Sequence, residues 1–399
     1  MRDRPWTFRE GSLIGAGLII IGEILQLTMG EVKWDLIAYP LNVLLAVIFV
    51  VIITIAFLLS EKFSFFRWCT TITAAIPTML WCAVMTLVMG VTSWMSMLRW
   101  WPMVLCYTFM LFILGMTSLK HISHFRIKDI PFLLNHVGLF FALLAGALGN
   151  ADVQRMRMEV ETGGTARMAF DETTHRVKEL DMTIELHGFS IDEYPAKLML
   201  VDNMTGRAVP DGNPEQMVLE DSIVRCRLLD WEIFADSYME MAAQESSADT
   251  IRYVEWKETG ATTAVHVVAK SINTDVERDG WVSCGSYMFP YQLLRLDDRY
   301  SLVMPDREPK RFASEVTICT KSGLIKEGII EVNKPLEADG WKVYQLSYDE
   351  SMGRWSDVSV FELVRDPWLP FVYAEIILML TGAICMFATA GVRRKEERL

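Results

Sequence analysis

Ile130-Pro-Phe-Leu-Leu-Asn-His-Val-Gly-Leu-Phe-Phe-Ala-Leu-Leu-Ala-Gly-Ala-Leu-Gly149 decides how the rest of the chain is read. As a helix it is long enough to cross a hydrocarbon core of roughly 30 Å. Its one ionisable residue is His136. At about 100° per residue, His136 shares a face with Phe132, Phe140, Leu143 and Ala147. Gly138, Ala142, Ala145 and Gly149 form the opposite face, a small-residue stripe of the kind that lets a neighbouring helix come close in lipid. One face packs, and the other presents an imidazole inside the membrane. Ionisable groups there are costly and tend to mark function. The alternative is an imidazole that only hydrogen-bonds a neighbouring helix.

The whole chain agrees with a membrane protein. Its 399 residues are 52% hydrophobic, with a mean hydropathy of +0.25. The formal net charge is nevertheless -12, so a polar, acidic part must exist as well. An acidic chain without basic clusters argues against nucleic acid as a partner. The seven cysteines form no C-x-x-C or C-x-x-C-H, which excludes the usual thiol oxidoreductase, zinc ribbon and c-type cytochrome patterns.

Five further apolar segments accompany Ile130–Gly149. They run over 12–29, 37–60, 70–91 (broken by Pro77), 101–119 and 368–392. The first lacks an A-x-A-like cleavage site and reads as a retained helix rather than a leader. It carries Glu23 and Gln26 on one face, either paired within the bundle or lining a polar path. With the N-terminus inside, the cytoplasmic segments hold twelve Lys and Arg, from Arg2 and Arg4 through Lys120, Arg126 and Lys128 to Arg398. The outer short loops hold Lys33 and Arg99 alone. The positive-inside rule then puts both termini in the cytoplasm. Trp34, Trp94, Trp100, Trp101 and Trp368 fall near the outer interface, where indoles prefer to sit. The expected organisation is a five-helix membrane domain over 1–150, an extracytoplasmic domain over 151–366, and a last helix with a basic tail over 367–399.

The outer segment holds 24 Lys+Arg against 40 Asp+Glu, a formal -16. Its pattern is strand-like over 182–194, 197–202, 263–271 and 281–288. Segments 314–320 and 324–332 flank the turn Lys321-Ser322-Gly323, and 341–348 and 356–364 flank another near 351–353. Segments 217–221 and 237–247 read less clearly, the second as a polar helix or a loose insert. A large, mainly antiparallel β domain is expected.

Haem is a natural ligand for an isolated membrane histidine. Its iron needs an axial base, most commonly imidazole, and its ring needs an apolar slot that Phe132 and Phe140 could wall. At about 1.5 Å per residue, His136 lies roughly 9 Å into the helix, in the half nearer the cytoplasm. His121 and His124 read as interfacial residues of a basic loop, with metal binding the alternative. His175, His187 and His266 read as solvated outer-domain residues. Glu375, in the last span, should have a partner or meet water. Cys226, Cys284 and Cys319 cannot all pair with one another. Nucleotide-loop, H-E-x-x-H, G-x-S-x-G and kinase motifs are missing.

Phe132-Leu-Leu-Asn-His-Val-Gly-Leu139, with Ser93-Trp94 upstream, resembles the ResB-like family of cytochrome c biogenesis proteins. So does Val332-Asn-Lys-Pro-Leu-Glu-Ala-Asp-Gly-Trp-Lys-Val-Tyr-Gln-Leu-Ser-Tyr348, continuing through Asp366-Pro367 into the last helix. Arg299-Tyr300 and Ser314-Glu-Val-Thr317 add to it. The likeness runs from about Ser93 to the end and is weakest over 202–280. It implies a subunit that works with a CcsA-like membrane protein in a bacterial inner membrane, holding haem b for transport outward to apocytochrome c. The family's membrane haem ligand falls on His136 alone. The tryptophan-rich haem-handling motif belongs to the partner, expected as a separate chain. Glu375 in place of a small residue and Ser301-Leu302 in place of Pro-Gly depart from the family pattern. No residue here supplies acid or base catalysis for thioether formation, so an accessory subunit is expected rather than a complete enzyme. Two rivals remain: a membrane-anchored sensor or assembly factor without cofactor, and an ion-coupled transporter using Glu23 and Glu375.

Overall fold

The structure is a computed structural model that describes residues 6–92, 98–219, 224–247 and 250–396. Arg2, Arg4, Ser93, Trp94 and Arg398 lie outside them. The chain divides into two compact units. Met1–Val153 with Asp366–Leu399 form a helical unit, and Gln154–Arg365 form a β unit.

The helical unit contains α1 (Phe8–Met29), α2 (Leu41–Leu58), the short α3 (Ser64–Trp68), α4 (Ile72–Thr92), α5 (Trp101–Ser123), α6 (Ile130–Gly149) and α7 (Leu369–Glu396). Among the described residues, six helices are long and apolar enough to cross a membrane. Local chemistry sets several of their ends. Thr7 caps α1 and forms a reciprocal capping box with Glu10. Pro102 and Pro131 stand in the first turns of α5 and α6, where a missing N–H costs nothing. The expected break at Pro77 is absent, and α4 runs through it. A membrane bundle tolerates such a proline when hydroxyls and packed neighbours satisfy the freed carbonyls. Pro77 frees the carbonyl of Thr73, and beside it Thr78 Oγ1 donates back to Ala74 O at 2.9 Å. Gln26 does pair within the bundle, its Oε1 accepting from Trp101 N at 3.2 Å.

One end of the unit holds Trp34, Trp101 and Trp368. Trp34 Nε1 donates to Leu98 O at 2.6 Å and Trp101 Nε1 to Gly30 O at 2.9 Å. At the same end Asp152 accepts from Tyr39 N (2.7 Å), Asn42 Nδ2 (2.7 Å) and Trp368 Nε1 (2.6 Å). It thereby ties α2, α6 and α7 together. The opposite end carries the loop from α5 to α6.

Asp152 makes a pH prediction. Burial pushes its carboxyl up, but the three hydrogen bonds outweigh burial and hold it below its ordinary value. A depressed folded-state pKa contributes stability that is present above the unfolded value of about 3.9 and is lost as pH falls through the folded one. Asp152→Asn is expected to cost about 1 kcal/mol at neutral pH, allowing for solvent screening. It should also flatten the acid side of a melting-temperature profile in detergent. Parallel wild-type and variant profiles down to about pH 3 would remove this role.

In the β unit every named strand ladder is antiparallel. An eight-stranded sheet runs in the order Ile325–Glu331, Pro309–Thr320, Arg176–Glu193, Thr165–Asp171, Gln154–Glu161, Val358–Arg365, Trp341–Tyr348, Leu336–Ala338. Alternation along Gln154–Glu161 puts Met156, Met158 and Val160 into its core, beside Ile184, Leu186 and Phe361. A five-stranded sheet is built on Trp231–Ser247 and Thr262–Ser271, and a four-stranded one on Tyr300–Val303 and Lys197–Asp202. These two share a second core around Leu200, Ile233, Val265 and Leu302. The turn at Lys321-Ser322-Gly323 is present, with Gly323 at φ +90°. The segment 237–247 is neither helix nor insert. It belongs to the 17-residue strand Trp231–Ser247, whose register against Thr262–Ser271 shifts after Ala235 and again before Ala242, so its buried positions follow no single alternation.

Candidate functional site

The site is built where α4, α5 and α6 meet. A cleft of about 640 Å³ is lined by α6 residues Phe132, His136, Leu139 and Leu143 and by α5 residues Met110, Ile113, Leu114, Thr117, Lys120 and His121. Thr70, Thr71, Ile72, Thr73, Ala75, Thr78 and Met79 close the third side. That volume lies in the roughly 300–1,000 Å³ range of small-molecule sites.

His136 Nδ1 lies 3.0 Å from Phe132 O. A carbonyl oxygen only accepts, so the proton sits on Nδ1 and Nε2 keeps its lone pair. Fixing one ring nitrogen on a backbone carbonyl is how proteins prepare the other for a metal. The Phe132 ring stacks on His136, with centroids 3.7 Å apart at 20°, and also meets the His121 ring at 4.1 Å. Next in sequence, Asn135 turns the other way, and its Nδ2 donates to Met379 O on α7 at 3.3 Å. Asn135 therefore anchors the helix that presents His136.

Phe132 lines the cleft as expected. Phe140 does not, for it is buried, near-parallel to Phe49 at 6.5 Å, and close against Gly115. Helix phase explains the difference. Leu139 and Leu143 lie about 60° and 20° to one side of His136, whereas Phe140 lies about 40° to the other, towards α2 and α5. His121, read from sequence as an interfacial residue with metal binding the alternative, lines the cleft. It sits near the end of α5, in a basic loop by composition, and only the packing of α5 on α6 brings it to the cleft. His124 turns back, its Nδ1 3.3 Å from Lys120 O.

Other candidates resolve locally. His187 Nε2 lies 2.6 Å from Thr317 Oγ1, and His266 Nδ1 lies 2.8 Å from Asp236 Oδ1. His175 occupies a turn at φ +52°. Cys69, Cys82, Cys106, Cys226, Cys284 and Cys319 are unbridged, the first three of them buried. Glu375 Oε2 is buried without a hydrogen-bond partner among the described residues. No group of three or more His, Cys, Asp or Glu among them could cage a bare metal ion. A porphyrin, which brings four nitrogens of its own, needs only an axial base.

The β unit has its own cleft, of about 550 Å³. Within it Glu193 Oε2 takes Arg354 at 2.7 Å and Arg307 at 3.4 Å. Two arginines share this carboxylate, and the charges are largely spent on one another. Burial raises the Glu193 carboxyl above its ordinary value against the pull of both arginines.

A family model, the ResB-like family, matches residues 274–356. Over those residues the chain is similar to the ResB-like family. The ResB-like match lies wholly in the β unit and takes in the Val332–Tyr348 stretch. In the structure that stretch does scaffold work. Asn333 adopts φ +63°, a left-handed conformation that asparagine tolerates. Trp341 and Val343 enter the core. The buried Gln345 accepts from Ser314 Oγ at 2.6 Å and donates to Ser347 O at 2.9 Å. His136 is outside the match, so its role rests on the geometry of the helices. A search of curated proteins finds no match.

Proposed function

We propose that this ResB-like chain is the haem-holding subunit of a membrane complex for cytochrome c biogenesis. The observation that carries the reading is the His136 Nδ1 bond to Phe132 O inside an apolar cleft, because it leaves Nε2 as the free ligand atom. Haem b, when held there, is the group that such a system joins to the cysteine thiols of apocytochrome c. His136 is its axial base, Phe132 holds the imidazole plane, and Leu139, Leu143, Ile113 and Leu114 keep water away. The charge bias of the short loops favours a cytoplasmic mouth for the cleft and an outer placement of the β unit. A CcsA-like membrane protein is the partner that would complete the second axial position and the chemistry. The β unit would hold that partner or the unfolded apocytochrome.

The test is colour. The chain is co-expressed with a CcsA-like protein, purified in mild detergent, and its visible spectrum recorded. A Soret band that travels with the complex is expected. A colourless complex that also takes up no added haem overturns the reading.

A further inference from the structure

The cleft is chemically two-ended. Met79, Met110, Ile113, Leu139 and Leu143 line its apolar end, and Thr70, Thr71, Thr73, Lys120 and His121 line the end beside the α5–α6 loop, its mouth. The threonine hydroxyls at the mouth are already committed. Thr70 Oγ1 donates to Arg67 O at 2.9 Å and Thr71 Oγ1 to Trp68 O at 2.6 Å, while Thr71 and Thr73 share a 2.8 Å contact. Lys120 spends one N–H on Thr70 O at 3.3 Å. An ammonium has three, so two remain. The His121 ring touches Phe132, and among the described residues no hydrogen bond occupies its nitrogens. No aspartate or glutamate lines the cleft among the described residues. Uncommitted donors and an unbalanced positive charge therefore stand on α5 at one end of an apolar slot whose α6 side carries His136.

We propose that Lys120 and His121 form an acid-group subsite, which takes the carboxylates of the ligand whose iron His136 holds. The proposal rests on the haem reading above and adds orientation to it. The ring enters apolar edge first, and its two acid groups stay at the mouth. Lys120 contributes charge, and His121 contributes an N–H.

The test uses the full-length chain in detergent, titrated with ferric haem and with ferric haem dimethyl ester, whose acid groups are capped. The Soret shift on ligation is the readout. Wild type should bind haem about tenfold tighter than the diester, the size of one charge-assisted hydrogen bond. Lys120→Gln should erase that preference by weakening haem alone, and Lys120→Arg should restore it. Melting temperature checks that both variants fold.

Equal affinities for haem and diester in wild type, with His136→Ala still removing the shift, overturn the subsite and leave the haem reading standing. No shift with either compound overturns both. If His121→Ala moves the band with the diester as well, His121 is a ligand to iron and its assignment here fails. If Lys120→Gln leaves haem binding unchanged but abolishes binding of spin-labelled phosphatidylglycerol, the cation serves a lipid phosphate and the proposal is overturned.

Discussion

His136→Ala is expected to remove haem binding by the isolated chain, with a loss on the order of 100-fold or more in affinity. Changing a residue that merely supports a metal ligand already costs 10–100-fold, and here the ligand itself goes. The substitution empties one wall of a cleft rather than the centre of a core, since His136 is only half-buried. Thermal stability should therefore change little, which separates a lost ligand from a lost fold. Free imidazole added at millimolar concentration should restore the Soret shift in the variant, because the vacated space admits it. Phe132→Ala is the contrasting case. It keeps the backbone carbonyl that orders His136 but removes the ring stacked on it, so binding should weaken without vanishing. A Soret band identical in wild type and His136→Ala would sink the axial-ligand assignment.

Gly382→Ala is expected to destabilise the helical unit strongly. A Cβ at Gly382 would stand 2.6 Å from Asn135 N and 2.8 Å from Pro131 O. Both are backbone atoms of α6, and neither can swing aside. Across the same seam, Gly138 would meet Glu375 O at 3.1 Å. The two helices touch backbone to backbone, and the methyl must push them apart. Overpacking of this kind costs about 1–3 kcal/mol, more where nothing relaxes, against a helix-propensity gain of about 1 kcal/mol for alanine over glycine. The Asn135 bond to Met379 O lies in the same seam, so His136 should shift as well and haem affinity should fall with stability. Gly17→Ala is the control, because nothing lies within 4 Å of its added Cβ. It should be neutral or slightly stabilising. Equal melting temperatures for the two variants in detergent would refute the close seam.

The small-residue face of α6 is legible in the amino-acid sequence, because the helical period alone places Gly138, Ala145 and Gly149 together. Its partner is not. That α7 supplies Gly382 and the backbone of Glu375 and Met379 depends on two helices more than two hundred residues apart meeting in the fold. Likewise, the 17-residue strand Trp231–Ser247 is hard to recognise in the sequence, since its polar run lacks the alternation of a half-buried strand.

The sequence by itself determined six membrane-length helices, an antiparallel β unit and an imidazole within α6. Hydropathy, turn chemistry and periodicity are local properties, carried by neighbours in the chain. Only the tertiary structure decided what surrounds that imidazole. It turned Phe140 into the core, kept Phe132 on the cleft wall, and brought His121 and Lys120 from the end of α5 to the same cleft. Those placements follow from how α4, α5 and α6 pack, and packing is a property of pairs of helices that no single stretch of sequence contains.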